Sequence, residues 1–189
     1  DFCASNGAAV GGVVGSVLGE SEIIGCENSG TIKDTAEFNN GSGSYAGGIV
    51  GRNDTSNGWA VINACINTGN ISVQVDSVDV GGIAGASVGD IANSKNSGDL
   101  SCSSDAMVGG IVGSLGNRYS ERISVLSNCV NEGNIKNSGS MAVGGIAHEI
   151  INSDVYNCTA MCDITSISSS IIGGIVGSVS SSEIDQSAY

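Results

Sequence analysis

The sequence contains no proline and is poor in aromatic side chains, bases and histidine. Its 189 residues include 30 glycines and one histidine, and aromatic residues make up 4% of the chain against 40% hydrophobic residues. Large rings usually dominate globular cores, so a core here has to consist of stacked small aliphatic side chains. No stretch keeps the helical period of apolar residues, and we therefore expect almost no helix.

Charge and hydropathy exclude two classes of partner. No apolar run approaches the length of a transmembrane helix, so we expect no membrane insertion. Six bases against 19 acids give a net charge of −13, whereas nucleic acids and anionic membrane surfaces both require patches of Lys and Arg. The acidity is typical of a solvated β-rich surface, and we expect no nucleic-acid partner.

Signatures of metals and cofactors are missing as well. The seven cysteines form no CxxC pair, and His148 is the one imidazole in the chain, so a zinc site is not expected. The calcium-binding pattern Gly-Gly-x-Gly-x-Asp is absent, and no column of threonines indicates an ice-binding face. We expect no cofactor.

What the sequence does contain is a repeat. Glycine pairs, each flanked by small hydrophobic residues, recur at spacings of 36, 34, 28, 35 and 29 residues. A period in this range indicates a repeat architecture. The shortest complete copy runs from Val80 to Met107. The six pairs are Gly11-Gly12, Gly47-Gly48, Gly81-Gly82, Gly109-Gly110, Gly144-Gly145 and Gly173-Gly174.

The second half of each copy follows the pattern Ile-x-x-Cys/Ser-x-Asn-x-Gly-x-Ile/Leu. Ser94 replaces cysteine in the third copy and Ala160 replaces asparagine in the fifth. Interchange with serine favours a small buried side chain over an obligatory disulfide. The cysteine column comprises Cys26, Cys65, Cys129 and Cys158, and the asparagine column comprises Asn28, Asn67, Asn96 and Asn131.

The asparagine column allows two arrangements. Stacked in register, the amides would form a ladder in which each side chain donates to the next; alternatively, they are independent turns that face water. Because the total of seven cysteines is odd, at least one of them has to be a free thiol or form an intermolecular bridge. Cys3 and Cys162 are our candidates for intermolecular bridges.

These patterns predict an all-β fold. Each copy is rich in β-branched residues bounded by Gly, Asn and Ser, which indicates two or three short strands. One copy cannot bury its own apolar side, but stacked copies close a continuous core. We therefore predict a parallel β-solenoid of about five to six coils, with 28–36 residues per repeat and essentially no helix. Apolar residues occur on both parities of Val-Gly-Gly-Ile-Val, so its inward side stays open.

We assign residues 1–189 to a single repeat domain. Residues 1–9 are a cap or the remnant of an upstream coil, residues 10–179 are the tandem repeats, and residues 180–189 are a C-terminal strand or cap. Because the chain begins at Asp1 without methionine or a signal peptide, we expect a processed or excised piece of a longer protein.

At this point the sequence resembles a known repeat. The V-G-G-I-V-G core followed by N-C-x-N-x-G-x-I is similar to the GLUG-type repeat of large bacterial cell-surface proteins, including adhesins and non-catalytic regions of some IgA-degrading metallopeptidases. The resemblance extends over roughly residues 10–179. It implies an extracellular, cell-surface or secreted location, and it carries over no catalytic residues. His148 departs from the pattern because it stands where the other copies have glycine.

Two long excursions follow the second and fourth glycine pairs. They contain the only tryptophan and all three arginines of the chain, and register places them on one edge, two coils apart. We predict that Trp59 and Tyr119 lie there, at least partly exposed, as anchors for a partner or with a ring lying back on the solenoid. The candidate edge comprises Arg52, Asp54, Trp59, Arg118, Tyr119 and Arg122.

The function best supported by the sequence is structural and non-catalytic. We expect an extracellular repeat domain that acts as an adhesin stalk, spacer or fibre subunit, with further copies of the repeat or subunit stacked end to end as partners. The alternative is a module that binds a host or matrix glycan or protein through the Trp59/Arg118/Tyr119 edge. A polysaccharide-active enzyme ranks third, because the acidic residues are scattered and His148 has no partners placed in register for catalysis.

Overall fold

The chain winds into a parallel β-solenoid. The computed structural model describes residues 8–34, 43–54, 59–103, 105–119, 122–167 and 171–189. One turn of the solenoid, here called a coil, contains five short strands, and the sixth coil contains three. The predicted all-β parallel solenoid is confirmed, and the described residues include no helix.

The strands of the six coils have the following bounds. Coil one has β1 (Ala9–Gly11), β2 (Val14–Leu18), β3 (Ser21–Ile24), β4 (Glu27–Asn28) and β5 (Ile32–Asp34). Coil two has β6 (Ser44–Gly47), β7 (Val50–Asp54), β8 (Ala60–Asn63), β9 (Ile66–Asn67) and β10 (Ile71–Val73). Coil three has β11 (Val78–Gly81), β12 (Ala84–Ser87), β13 (Asp90–Ala92), β14 (Lys95–Asn96) and β15 (Leu100–Cys102). Coil four has β16 (Met107–Gly109), β17 (Val112–Gly116), β18 (Ser124–Ser127), β19 (Val130–Asn131) and β20 (Ile135–Asn137). Coil five has β21 (Val143–Gly144), β22 (Ala147–Ile151), β23 (Ser153–Tyr156), β24 (Thr159–Ala160) and β25 (Ile164–Ser166). Coil six has β26 (Ile172–Gly173), β27 (Val176–Ser180) and β28 (Glu183–Asp185).

Equivalent strands of successive coils pair in parallel and form five sheets, numbered here in the order in which each coil visits them. The register keeps like residues together: Gly47 pairs with Gly11 and Gly81. Ile83 donates its backbone N–H to Ile111 O at 2.9 Å, so these two isoleucines stack in successive coils as the sequence predicts. The prediction of two or three strands per copy is wrong, because the two-residue strands of the fourth sheet are too short to leave a periodic signal.

The core has two lobes, and this explains the ambiguous parity of the glycine-pair motif. Val80, which precedes the pair, packs in the lobe between the first and fifth sheets. Ile83 and Ala84, which follow it, pack in the lobe beside the second and third sheets. The chain crosses between the lobes at Gly81 and Gly82, so apolar residues on either side of the pair are both buried. The crossing brings glycines face to face with the asparagine column.

Candidate functional site: the asparagine spine and the excursion edge

The asparagine column forms a ladder of amides inside the solenoid. Asn28 donates Nδ2 to Asn67 Oδ1, Asn67 to Asn96 and Asn96 to Asn131, each at 2.8 Å. Asn67, Asn96 and Asn131 are completely buried. Buried polar groups are tolerated when they are hydrogen-bonded, and the ladder meets that condition while linking coils one to four.

Each amide also closes a turn in its own coil. In coil three, Gly98 donates its N–H to Asn96 Oδ1 at 3.2 Å, and Asn96 Nδ2 donates to Gly98 O at 2.9 Å. The other three ladder residues make the same pair of bonds to the glycine two positions later. These side-chain-to-backbone bonds are of the Asx-turn type. The ladder therefore fixes the corner within each coil as well as the spacing between coils.

The second glycine of each pair makes room for the ladder. A Cβ at Gly82 would overlap Asn96 Cγ and the carbonyl oxygen of Gly110. The same overlap would occur at Gly48 with Asn67 and at Gly110 with Asn131. The glycines of the motif are thus needed for close approach, and the asparagine and glycine columns form one spine between the two lobes.

The spine changes in coil five. Asn131 Nδ2 donates to Gly145 O at 3.1 Å because Ala160, at the next ladder position, offers no amide. Cys162 replaces the partner glycine and packs, partly buried, against both lobes. Alanine is smaller than the asparagine that it replaces, and cysteine is larger than the glycine that it replaces. The two substitutions therefore compensate each other in volume at one corner. In coil six the same position is occupied by Tyr189, whose ring lies against Gly174.

The cysteine column caps the corner between the third and fourth sheets. Cys129 donates its thiol to Ser127 O at 3.3 Å, two residues earlier, and Cys158 does the same to Tyr156 O. Ser94 donates its hydroxyl to Ala92 O at 2.8 Å in the same way. Serine and cysteine interchange because each supplies one short donor to this carbonyl. Asn93, Asn128 and Asn157, which precede column residues, have positive φ, a conformation in which asparagine is favoured among non-glycine residues.

All six cysteines of the described residues are free thiols. Burial raises the pKa of Cys102 to about 12, which leaves it essentially without the thiolate that reacts. Cys162 is half-buried, and burial raises its pKa as well. Cys3, the other candidate for an intermolecular bridge, lies outside the described residues.

The two excursions meet at Trp59. The guanidinium carbon of Arg122 lies 3.7 Å from the centroid of the Trp59 ring, and Trp59 Nε1 donates to Asp90 Oδ2 at 3.1 Å. Asp90 in turn accepts the backbone N–H of Val125 at 2.8 Å. Trp59 is therefore a half-buried structural ring that ties coils two, three and four together.

Tyr119 is placed differently. Its side chain is 93% exposed, at a turn where its backbone N–H donates to Asn117 Oδ1 at 2.9 Å. Arg118 beside it is exposed. Trp59 and Tyr119 both belong to segments that link the second and third sheets, so they share an edge, but among the aromatic residues of that edge Tyr119 has the free ring.

Arg52 and Asp54 form a separate group on β7. Arg52 makes an ion pair with Asp54 and lies over the Tyr45 ring, 4.9 Å from its centroid. Tyr45 belongs to the first sheet, so this group faces the bend between the first and second sheets. The six predicted edge residues are thus divided between two places.

Sequence reasoning missed Asp79, which lies beside that bend. Its carboxylate accepts the Ser114 hydroxyl at 2.8 Å. Burial raises the pKa of Asp79 to about 6, Ser114 and Arg52 oppose the rise, and the charge of Glu149 adds to it. Asp79 is half-buried, and an acid of raised pKa in such a place often marks a functional site. Asp79 belongs to no repeat column, so the sequence carries no signal for it.

His148 occupies a glycine position of the repeat. Its Nδ1 lies 2.7 Å from Ala142 O and donates to that carbonyl, bridging the second and first sheets of coil five. Burial lowers its pKa. Where the other copies need glycine because the two sheets approach closely, coil five is braced by this side chain.

Across the described coils, no group of three or more His, Cys, Asp or Glu side chains is placed to hold a metal ion. A search of the same residues finds no helix with the length and hydropathy of a membrane span.

Comparison with known proteins agrees with the repeat. The family described as the GLUG motif matches residues 6–33, which cover most of coil one. The GLUG-type repeat suspected from the sequence is thereby confirmed in that coil. No significant match was found among curated proteins or among solved structures.

Proposed function

We propose that this chain is a structural, non-catalytic repeat domain that acts as an adhesin stalk, spacer or fibre subunit. The observation that supports the proposal is the uniformity of the interface between coils. Ile49, Ile83 and Ile111 follow one another in one column of the core, and Asn67, Asn96 and Asn131 do so in the spine. Coils can therefore be added without altering the cross-section.

A rod of this kind is suited to holding the parts attached to its two ends a fixed distance apart. Solenoid stability is approximately a sum of repeat terms and nearest-neighbour interfaces, and each coil adds about 4.8 Å along the axis. Length and stability then both increase with coil number. An extracellular or cell-surface location is part of the proposal and is supported by the GLUG motif match together with the resemblance to surface proteins.

Insertion of extra repeats tests the spacer role. Four additional copies of residues 80–107, placed in register after residue 107, should lengthen the particle by about 19 Å and raise the unfolding midpoint. Small-angle scattering and chemical denaturation measure the two quantities. The matched control carries the same insert with alanine in place of both glycines of each inserted pair, which cannot make the bend. An insert that loops out without lengthening the rod contradicts the proposal.

Location is tested on intact cells of the source organism. Antibody raised against the folded chain should label the cell surface or the secreted fraction, and protease added to intact cells should release or remove the signal. Labelling that requires permeabilised cells contradicts the location. The same cells, compared with a deletion strain, test the stalk role through adhesion.

A second function, recognition of a host or matrix glycan or protein, is favoured by one observation: Tyr119 is 93% exposed at a turn flanked by Arg118. Exposed tyrosine and arginine are frequent anchors of interfaces. Tyr119→Ala should abolish adhesion without changing stability. Met161→Ala, which changes an exposed side chain at the corner between the fourth and fifth sheets, is the control. Unchanged adhesion in Tyr119→Ala excludes this edge.

A further inference from the structure

The outer face of the fifth sheet carries a shallow groove that none of the features above uses. Its volume is about 380 Å³, and it spans coils three to five. Leu100 and Ile135 line it through their backbone, because their side chains are 1% exposed and point into the core. Six polar side chains form its surface: Asp99, Ser101, Asn134, Lys136, Asp163 and Thr165.

These side chains form a regular array of two columns. Ser101, Lys136 and Thr165 are in register on β15, β20 and β25, and Asp99, Asn134 and Asp163 stand two residues before them. Rows are about 4.8 Å apart and the columns about 6.6 Å apart. The array therefore measures about 10 Å along the solenoid axis, which is the scale of two linked sugar rings.

In the column of Asp99, Asn134 and Asp163, the first two side chains are each hydrogen-bonded to the backbone of the next coil. Asp99 Oδ1 accepts the backbone N–H of Asn134 at 2.9 Å, and Asn134 Oδ1 accepts the backbone N–H of Asp163 at 3.0 Å. With its oxygen engaged, Asn134 presents its Nδ2 donor to the groove. Asp99 presents its remaining carboxylate oxygen as an acceptor, and Asp163 presents both of its carboxylate oxygens. The order along the axis is therefore acceptor, donor, acceptor.

Charge and shape select one class of ligand. Two carboxylates outnumber Lys136, which makes no ion pair within the described part of the chain, so a polyanion is repelled. No aromatic or large apolar side chain lines the groove, so a hydrophobic peptide anchor has no pocket. A neutral chain of hydroxyl groups matches the array, because hydroxyls donate to the carboxylates and accept from Asn134 and Lys136.

We propose that this groove binds a neutral glycan chain laid along the solenoid axis. Its hydroxyls donate to Asp99 and Asp163, and the oxygens between them accept from Asn134 Nδ2 and Lys136 Nζ. The site is separate from the Tyr119 edge and goes beyond the spacer role, so either can fail without the other.

NMR titration of the whole chain with cellotetraose, mannotetraose and xylotetraose tests the proposal, with tetragalacturonate as the anionic comparator. At least one neutral tetramer should shift the backbone signals of Ser101, Lys136 and Thr165. Asp99→Asn and Lys136→Ala should each weaken its binding roughly tenfold, the loss expected for one charge-assisted hydrogen bond. Asp99→Asn keeps an oxygen for the Asn134 N–H, so the coil remains closed.

Lys33→Ala is the matched control for Lys136→Ala. Lys33 stands on β5 in the same column as Ser101 and Lys136, but it lies outside the groove. This variant should keep wild-type affinity. The proposal is overturned if no neutral tetramer shifts these signals, if tetragalacturonate binds more tightly than every neutral tetramer, or if Asp99→Asn and Lys136→Ala both bind as wild type.

Discussion

At the residue scale, the buried asparagine side chains fix the register and the corners of the coils through hydrogen bonds. Asn96 takes part in four hydrogen bonds, two with the neighbouring ladder residues and two with Gly98. An amide has two donors and one oxygen that accepts two bonds, so every site on the side chain is used. The spine holds both register and corner geometry with one residue type.

Asn96→Ala should therefore destabilise the chain by about 2–4 kcal/mol, because it leaves the Gly98 N–H and Asn131 Oδ1 buried with a lost partner. Asn28→Ala, at the half-exposed end of the ladder, should cost less than half as much. Urea denaturation measures both. Equal losses for the two variants would show that burial of the ladder contributes nothing.

Asp79 gives a pH signature that can be isolated. Its pKa of about 6 exceeds the ordinary 3.8, so between these values the native state binds more protons than the unfolded state. Stability contributed by Asp79 therefore falls as pH rises from about 4 to 6. Buried His148 acts in the opposite direction: burial lowers its pKa below the ordinary 6.5, so its contribution rises with pH.

Asp79→Asn should raise stability at pH 7 by on the order of 2–3 kcal/mol, with Asn retaining an oxygen for Ser114. The gain should shrink to nothing below about pH 4, where the aspartate is protonated in the unfolded chain as well as in the native state. Melting curves of the variant and wild type from pH 3.5 to 7.5 give the difference, in which the effect of His148 cancels. Asp105→Asn is the control, because hydrogen bonds from Ser140 lower the pKa of Asp105 and the difference should have the opposite sign.

The residues that sequence analysis found are those that repeat. Asn96 and Cys129 are visible because each stands in a column, and Ser94 showed that a disulfide is not required there. Asp79 and the Trp59–Asp90–Arg122 contact are not repeated. The Trp59–Asp90–Arg122 contact depends on how far two excursions of different length fold back over the surface, and the environment of Asp79 depends on non-repeated side chains across the bend. The sequence contains no periodic signal for either.

At the element scale, the bend between the first and second sheets decides whether a coil closes. The strands on either side of it, β11 and β12 in coil three, belong to different lobes of the core. Sequence analysis located the bend from its glycine pair and left the inward side open. Period-two alternation fails here because the bend reverses which face is buried within one residue.

Gly82→Ala should unfold coil three or the whole chain, because its Cβ would overlap backbone at Gly110 and the side chain of Asn96. Neither neighbour can move without breaking the spine. Gly30→Ala is the control, since its nearest neighbour would be Asn28 Oδ1 at 3.4 Å, an ordinary contact. Circular dichroism and thermal melts compare the two. A Gly82→Ala protein as stable as Gly30→Ala would mean that the close packing of the spine is not required.

At the scale of the whole molecule, the end coils differ from the inner coils in strand pairing and in the exposure of their apolar side chains. Among the described residues, the strands of coils one and six pair on one side only. Ile150 and Val155 are completely buried in coil five, whereas Val179 and Ile184, at the same positions of coil six, are 49% and 42% exposed. The glycine-pair column itself continues to Gly173-Gly174 in coil six, and the strands that flank this last pair keep the aliphatic positions of the inner coils.

A further coil added to coil six would continue its columns. Coil one of a second copy would set Val14 on Val176 and Ile23 on Ile184, matching aliphatic with aliphatic. It would also set Glu22 on Glu183, and like charges directly opposite one another destabilise paired strands. End-to-end stacking is thus favoured by the core and opposed by one pair of carboxylates.

Glu183→Gln should therefore increase end-to-end association, because the variant removes the charge that would stand opposite Glu22 of the next copy. Sedimentation velocity at 10 to several hundred micromolar, with circular dichroism to confirm that the fold persists, measures the shift from monomer to dimer and longer species. Glu132→Gln is the control, since Glu132 lies in coil four and pairs with Lys95 at 2.7 Å, away from both end coils. A Glu183→Gln protein that stays monomeric at the highest concentration would exclude end-to-end stacking of this chain, because the pair of opposing charges would then be gone and the matching aliphatic columns would still have failed to join.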